Sequence, residues 1–295
     1  MINTIVGELA KVDLPAAKAA LPRLDEGQRS YGVRTIVEQL MRKDIQAALS
    51  CARELKDDEA EAAVLRKWAE SDLAAVAEEL TLGQVKDHGV VVIIAAGMMG
   101  RDRPAFEKWT ERLADPVQRA VARLTALEEE VTKDPKGTAL ATTALLAKEP
   151  AASAQAGDLP GRIVQRWLWN GERHAEVAAW AAALPQGAAQ DTAILEAGRL
   201  WIQEDMMQAS AWLGSLPQSS GKDAAVLYLV EKITGETPAD AFEWVRTVKT
   251  PALRKKALKL VTDNWIGQDP AAARQAIGSL SAADRGSLQE ADKPE

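Results

Sequence analysis

Tryptophan recurs in this chain at a fixed interval, and that regularity limits the possible folds more than any other feature. Two series of tryptophans, the second placed about three helical turns after the first, each follow one common spacing or twice that spacing. They are Trp169, Trp201 and Trp265, and Trp180, Trp212 and Trp244. The interval, ~32 residues, is typical of a repeat architecture in which each repeat is one supersecondary unit. The chain is therefore predicted to be a stack of similar units.

The interval extends towards the N-terminus with small changes in length. Nine anchor residues follow one another at steps close to it. They are Leu9, Leu40, Trp68, Met98, Glu130, Trp169, Trp201, Ile233 and Trp265. Four residues after the anchor, seven of the nine positions are Asp, and the other two are Arg173 and Thr237. Asp is a preferred N-cap because its carboxylate accepts free N–H groups of the first helical turn. Each anchor is thus predicted to close one helix and each Asp to open the next, with Thr237 as an equivalent cap.

The residues that follow the cap describe an amphipathic helix. Positions 8, 11 and 15 after the anchor lie on one helical face and carry a small residue, often Trp, and usually Leu. We call this helix A, and the helix that ends at the next anchor helix B. The Trp of position 11 is expected to pack between layers, since a single hairpin cannot bury its own apolar face and stacked neighbours can. The fold class predicted is all-α, an α-solenoid superhelix of about nine two-helix repeats of ~32 residues.

This pattern resembles the α-solenoid class that includes the TPR and HEAT repeats, and no specific family within it. The TPR pattern of Trp, Leu-Gly, Tyr, Ala and Phe at fixed offsets is absent. The solenoid is predicted over 1–282, with an N-terminal lone helix B at 2–9, irregular repeats at 5–147 and regular repeats at 162–282. A polar, frayed tail is expected at 283–295. The valine- and isoleucine-rich run at 89–100 has strand propensity, but its place in the interval favours helix B.

One step is longer than the others. It runs from Glu130 to Trp169 and includes a stretch at 148–161 with two Pro and two Gly among small residues. That composition predicts a loop. It is either a tolerated surface insertion or a hinge between the irregular and regular repeats.

Residues that could carry chemistry are sparse. His88 and His174 stand in unrelated contexts without metal-ligand spacing, and no phosphate-binding glycine loop or Gly-x-Ser-x-Gly elbow occurs. The one cysteine, Cys51, falls in a column otherwise held mostly by Trp and Ala, which indicates a buried structural thiol. We therefore expect no catalytic site, no bound metal and no cofactor.

The function predicted is a non-enzymatic scaffold or adaptor that presents a concave helical-repeat surface to a protein or peptide. The formal net charge of -7 argues against a nucleic-acid partner, and no apolar run is long enough to span a bilayer. A cytoplasmic location is expected, or a periplasmic or secreted one if a signal peptide has been removed. The alternative is a HEAT-like DNA-processing enzyme of the glycosylase type, for which the resemblance implies Trp and Asp in a basic cleft that this acidic chain lacks.

Two features are candidates for partner binding. Trp167 is the one tryptophan outside both columns and is the best candidate for an exposed, functional indole. The densest basic group is either a solvated helix face or a surface for an acidic motif of the partner. It consists of Arg246, Lys249, Arg254, Lys255, Lys256 and Lys259.

Overall fold

A computed structural model describes residues 8–83 and 85–291. Within these ranges the chain is helical with short connections, and no strand occurs. The helices are α1 (Leu14–Ala20), α2 (Glu26–Met41), α3 (Ile45–Glu54), α4 (Asp58–Ala69), α5 (Leu73–Thr81), α6 (His88–Met99), α7 (Arg103–Arg112), α8 (Pro116–Glu130), α9 (Pro135–Lys148), α10 (Ala151–Gln155), α11 (Leu159–Trp169), α12 (His174–Ala183), α13 (Ala188–Glu204), α14 (Met206–Ser215), α15 (Ser220–Ile233), α16 (Pro238–Thr247), α17 (Pro251–Gln268), α18 (Pro270–Gly278) and α19 (Ala282–Ala291). A 3₁₀ turn at Leu21–Arg23 follows α1. Residues 8–12 are also helical, and the rest of the predicted N-terminal helix lies outside the described residues.

The helices alternate between A and B as the interval predicts. All seven anchor-plus-four aspartates accept a hydrogen bond from a backbone N–H in the first turn of a helix A. At Asp205 the donor is Gln208 N, at 3.0 Å, and this bond holds the pKa of the carboxyl below its usual value. The capping role predicted for Thr237 is wrong, since its side chain makes no cap hydrogen bond. There the helix begins at Pro238, whose ring fixes φ at a value suited to the first helical position.

The chain forms two compact units, Met1–Glu129 and Glu130–Glu295. In the first unit, the B helices α2, α4 and α6 pack in sequence, with A helices between them along the chain. In the second, α11, α13, α15, α17 and α19 form a row of B helices in which each contacts the next. The all-α fold of stacked hairpins is thus confirmed within each unit. One continuous solenoid across both stays a prediction.

Helix α6 confirms the helical interpretation of the apolar run. Val90, Val91, Ile94 and Ala95 are fully buried on it. Four buried positions three and four residues apart define a helical face. Packing of that face against α4 and α5 outweighs the local strand propensity.

The insertion at 148–161 is not a loop. It contains α10 and the start of α11, and Ala152 and Ala156 are buried. Ser153 Oγ accepts a hydrogen bond from Ala189 N at 3.3 Å, which ties the insertion to α13. Its alanines are strong helix formers and bury without loss of side-chain entropy. The insertion lies inside the second unit, and its action as a hinge stays a prediction.

The frayed tail predicted from residue 283 is also wrong. Residues 282–291 form α19, which fills the B position of the last hairpin, and 292–295 lie outside the described residues. Arg254 on α17 forms an ion pair with Asp284, at 2.7 Å between Nη2 and Oδ2. This contact joins residues far apart in the sequence, so the polar composition of the segment alone does not predict that it folds as a helix.

A column of hydrogen-bond donors closes the hairpins of the second unit. In the B helices α13, α15, α17 and α19, one side chain in the first turn donates to the carbonyl at the end of the preceding helix A, at 2.5 to 3.1 Å. The pairs are Gln190 with Leu184, Lys222 with Leu216, Arg254 with Val248, and Arg285 with Leu280. The last carbonyls of a helix have no partner within it, so these donors fix the turn from A to B.

Candidate functional site

The indole of Trp167 is buried. It is 4% exposed, and its ring lies edge-on to Trp180 with 5.8 Å between centroids. Lys136 Nζ lies 5.8 Å from the centroid of the Trp167 ring. The prediction of an exposed indole at this position is therefore wrong, because Trp167 is part of the packing between α11 and α12.

The exposed indole is Trp169, which is 84% accessible. In the following hairpin, the anchor Trp201 packs on Trp212, eleven positions later, at 5.7 Å. In α11 the corresponding contact is made by Trp167 with Trp180, which is thirteen positions later. Two residues correspond to a rotation of about 200° on a helix. With Trp167 in the packed position, Trp169 faces solvent.

Other tryptophans confirm the predicted packing between layers. Trp109 Nε1 donates to Ala77 O on the preceding helix A at 2.9 Å. Trp180 Nε1 donates to Thr143 Oγ1, also on the preceding helix A, at 3.0 Å. Each of these indoles donates its single N–H to the neighbouring repeat, so these side chains stabilise the packing of one repeat on the next.

Trp169 stands in a shallow depression of about 620 Å³ at the ends of α11 and α13. We call it the Trp169 depression; its lining residues are Gln165, Leu168, Trp169, His174, Leu200, Gln203 and Glu204. The ring of His174 stacks on Trp201 at 6.3 Å. Among the described lining residues there is no Lys or Arg. The depression combines an aromatic face with carboxylate and amide oxygens.

A second concavity of about 800 Å³ lies between the A helices α14 and α16. We call it the methionine groove; its lining residues are Met206, Met207, Ser210, Gly214, Leu229, Ile233, Thr237, Asp240, Glu243, Trp244 and Thr247. Leu229 and Ile233 of α15 form its floor, and Met207 is 80% exposed at its edge. Asp240 and Glu243 are the charged residues on its described rim. The groove is apolar with an acidic border.

The predicted basic group does not form one patch of uncommitted charge. Four of its members form ion pairs within the protein, at 2.7 to 3.2 Å. The pairs are Arg246 with Glu243, Arg254 with Asp284, Lys256 with Glu231, and Lys259 with Asp263. Lys249 is exposed and Lys255 is half-buried. Binding of an acidic partner motif by this group stays a prediction.

The predicted burial of Cys51 is confirmed, at 2% exposure. Burial raises the pKa of its thiol, which keeps it in the less reactive protonated form. Within residues 8–83 and 85–291, no three His, Cys, Asp or Glu side chains are grouped so as to hold a metal ion. None of the helices described is both long enough and apolar enough to cross a membrane.

Comparisons with known proteins identify no family. No family model matches the chain, and no curated protein matches it. Among solved structures it is similar to Ton1535 from Thermococcus onnurineus NA1, with 12% identity, a TM-score of 0.31 and 100% of each chain covered. A similarity of that size carries no inference about function.

Proposed function

We propose that this protein is a non-enzymatic interaction scaffold that binds a segment of a partner protein in the methionine groove. The observation that carries the proposal is the groove itself, where Met207 is 80% exposed above an apolar floor. Exposed apolar concavities with a polar border are typical of protein-binding surfaces. Methionine side chains are flexible and polarizable, so they adapt to the apolar side chains of a partner.

The shape of the groove favours an amphipathic helix as the bound segment. Two A helices, α14 and α16, form its walls, and α15 lies beneath them. A helix laid in such a groove places apolar anchors three and four residues apart against the floor. Leu229 is 1% exposed, so the floor is held by the packed core and is formed before the partner arrives. A preformed site reduces the ordering cost of binding.

The charge of the border favours a basic segment. Asp240 and Glu243 lie on the rim, and the chain has a formal net charge of -7. Glu243 already pairs with Arg246, at 3.1 Å between Oε1 and Nη1. Asp240 is exposed in the first turn of α16 and is available to a cationic side chain of the partner. Complementary charges accelerate association and fix the orientation of the bound segment.

Site-specific photo-crosslinking tests the proposal. A photoreactive side chain is placed at Met207, and the captured species is identified in cells that express the protein. The same capture is repeated with crosslinker at Leu140, which is 65% exposed on α9 of the same unit and lies outside the groove. A partner that crosslinks at Met207 and not at Leu140 supports the proposal.

A substitution pair makes the test specific for binding. Met207→Lys replaces an apolar side chain at the edge of the groove with a positive charge that repels a basic segment, and Leu140→Lys is its matched control because both side chains are largely exposed. We expect Met207→Lys to abolish capture of the partner in a pull-down and Leu140→Lys to retain it. Equal capture by both variants, or turnover of a substrate by the purified protein, would contradict the proposal.

A further inference from the structure

We infer that the Trp169 depression binds an arginine side chain of the partner. The inference rests on the proposed function, since it assumes a protein partner, but it concerns a different surface of the second unit. Its starting point is the 84% exposure of Trp169. Trp167 makes the contact between α11 and α12, so the indole of Trp169 is not required for the packing of these helices.

The polar side chains of the depression are arranged to accept hydrogen bonds. Gln165 Nε2 donates to Glu196 Oε1 at 2.7 Å, and Gln203 Nε2 donates to the hydroxyl of Tyr228 at 2.8 Å. Each amide nitrogen is held by a neighbour, which leaves each side-chain carbonyl oxygen as an acceptor. Glu204 adds an exposed carboxylate, and an ionised carboxylate only accepts. A ligand that suits this set carries several donors.

The charge and the aromatic face restrict the ligand further. A cation over an indole face is attracted by the ring quadrupole, and tryptophan is the best aromatic partner for it. The cation nearest to Glu204 in the sequence, Arg199, is held by Glu196 through two bonds of 3.0 and 2.7 Å. Arg166 and Arg173 are exposed beside the lining residues Gln165 and His174 but are not part of the lining. The carboxylate of Glu204 therefore faces a depression whose described lining contains no positive side chain.

Among cationic side chains, arginine fits better than lysine. Its guanidinium is planar, stacks on an aromatic ring and presents five donors in a fixed fork. It is also more weakly hydrated than an ammonium group, so it loses less on leaving water. One guanidinium can stack on Trp169 and direct its edge to Glu204 and to an amide oxygen of Gln203. A lysine ammonium would satisfy the charge and would lack the stacked contact.

The experiment uses the full chain and two small probes of the same shape. N-acetyl-arginine amide is titrated into protein labelled with ¹⁵N, and N-acetyl-citrulline amide is the neutral isostere. The readout is the indole Nε1–H signal of Trp169, assigned through Trp169→Phe. We expect this signal to move along a saturating curve with the arginine probe and to stay in place with the citrulline probe.

Two variants identify the counter-ion. Glu204→Gln is expected to weaken binding of the arginine probe about two- to fivefold, the effect typical of an exposed ion pair. Asp263→Asn is the control, because Asp263 is an exposed carboxylate on α17 paired with Lys259. It should leave the binding curve unchanged.

Three results would overturn the inference. They are an equal response to both probes, an unmoved Trp169 signal at the highest soluble concentration, and unchanged affinity in Glu204→Gln. None of these depends on the methionine groove. If crosslinking at Met207 succeeds while the arginine probe fails, the scaffold function stands and the arginine site does not.

Discussion

Asp223 offers the sharpest test of how neighbouring hairpins are joined. It is 2% exposed on α15, and its Oδ2 accepts hydrogen bonds from Lys249 N, Thr250 N and Thr250 Oγ1 at 3.0, 2.7 and 2.7 Å. Its Oδ1 accepts from Gln218 Nε2 at 2.5 Å. The carboxylate thus holds the turn that leads into α17 from one hairpin away. Replacement by alanine would leave two backbone N–H groups without their acceptor.

The magnitude follows from those bonds. A hydrogen bond to a charged group contributes about 1.5–3 kcal/mol, and a buried donor left without a partner costs about 1–3 kcal/mol. Both figures describe the same contacts, so only the second is counted. Two backbone N–H groups would lose their acceptor, so we expect Asp223→Ala to lower the free energy of unfolding by about 2–6 kcal/mol. Asp223→Asn keeps an oxygen towards Lys249 and Thr250, so its cost should be about 1–2 kcal/mol.

The measurement combines urea denaturation followed by circular dichroism with amide hydrogen exchange. Hydrogen exchange is needed because some repeats of a stack can unfold while the others stay folded. The amides of Lys249 and Thr250 should exchange faster in Asp223→Ala, well before global unfolding. Asp263→Ala, at an exposed carboxylate, is the control and should change stability by less than about 0.5 kcal/mol. An Asp223→Ala protein as stable as the control would refute the role given to the buried carboxylate.

Three further predictions test the packing. Gly221→Ala should prevent normal stacking of α15, because a Cβ there would lie 2.5 Å from a backbone Cα of α13; thermal denaturation should show a much lower Tm than the parent. Trp167→Ala should cost about 3–5 kcal/mol as a buried aromatic, whereas Trp169→Ala should stay within about 0.5 kcal/mol in the same urea titration. The hydrogen bond from Arg254 lowers the pKa of Asp284, so its stabilisation is present above the unfolded pKa of about 3.9 and is lost as pH falls through the lower folded value. The stability difference between the parent and Asp284→Asn should therefore shrink below about pH 4.

The hairpins could be predicted because their signals are local. A cap such as Asp205 acts on N–H groups of the next helical turn, and a large side chain such as Trp212 recurs at one helical phase. Both signals depend on residue identity at a fixed spacing, which the sequence displays directly. The same logic fails at Thr237, where proline alone starts the helix.

The contacts between and within hairpins could not be predicted in the same way. Gln190, Lys222 and Arg254 follow one another at the repeat interval and close equivalent turns, yet they are an amide, an ammonium and a guanidinium. They share the ability to donate a hydrogen bond and share no residue identity. A search for recurring residue types therefore misses them. The ion pair that holds α19 to α17 is likewise visible only in three dimensions.

The difference between residues that recur at a fixed spacing and those that do not also explains where the candidate surfaces lie. Most residues in the regular columns are used in packing, as Trp109 is at 3% exposure, and the two that line the methionine groove, Ile233 and Trp244, are half-buried. Trp169 becomes accessible because α11 meets α12 through the indole two positions earlier. Met206 and Met207 follow the cap Asp205 directly, where two of the other hairpins of this unit have Pro-Ala. In a stack held by repeated contacts, a side chain can serve binding only where it is released from those contacts, so departures from the repeat are the positions to test first.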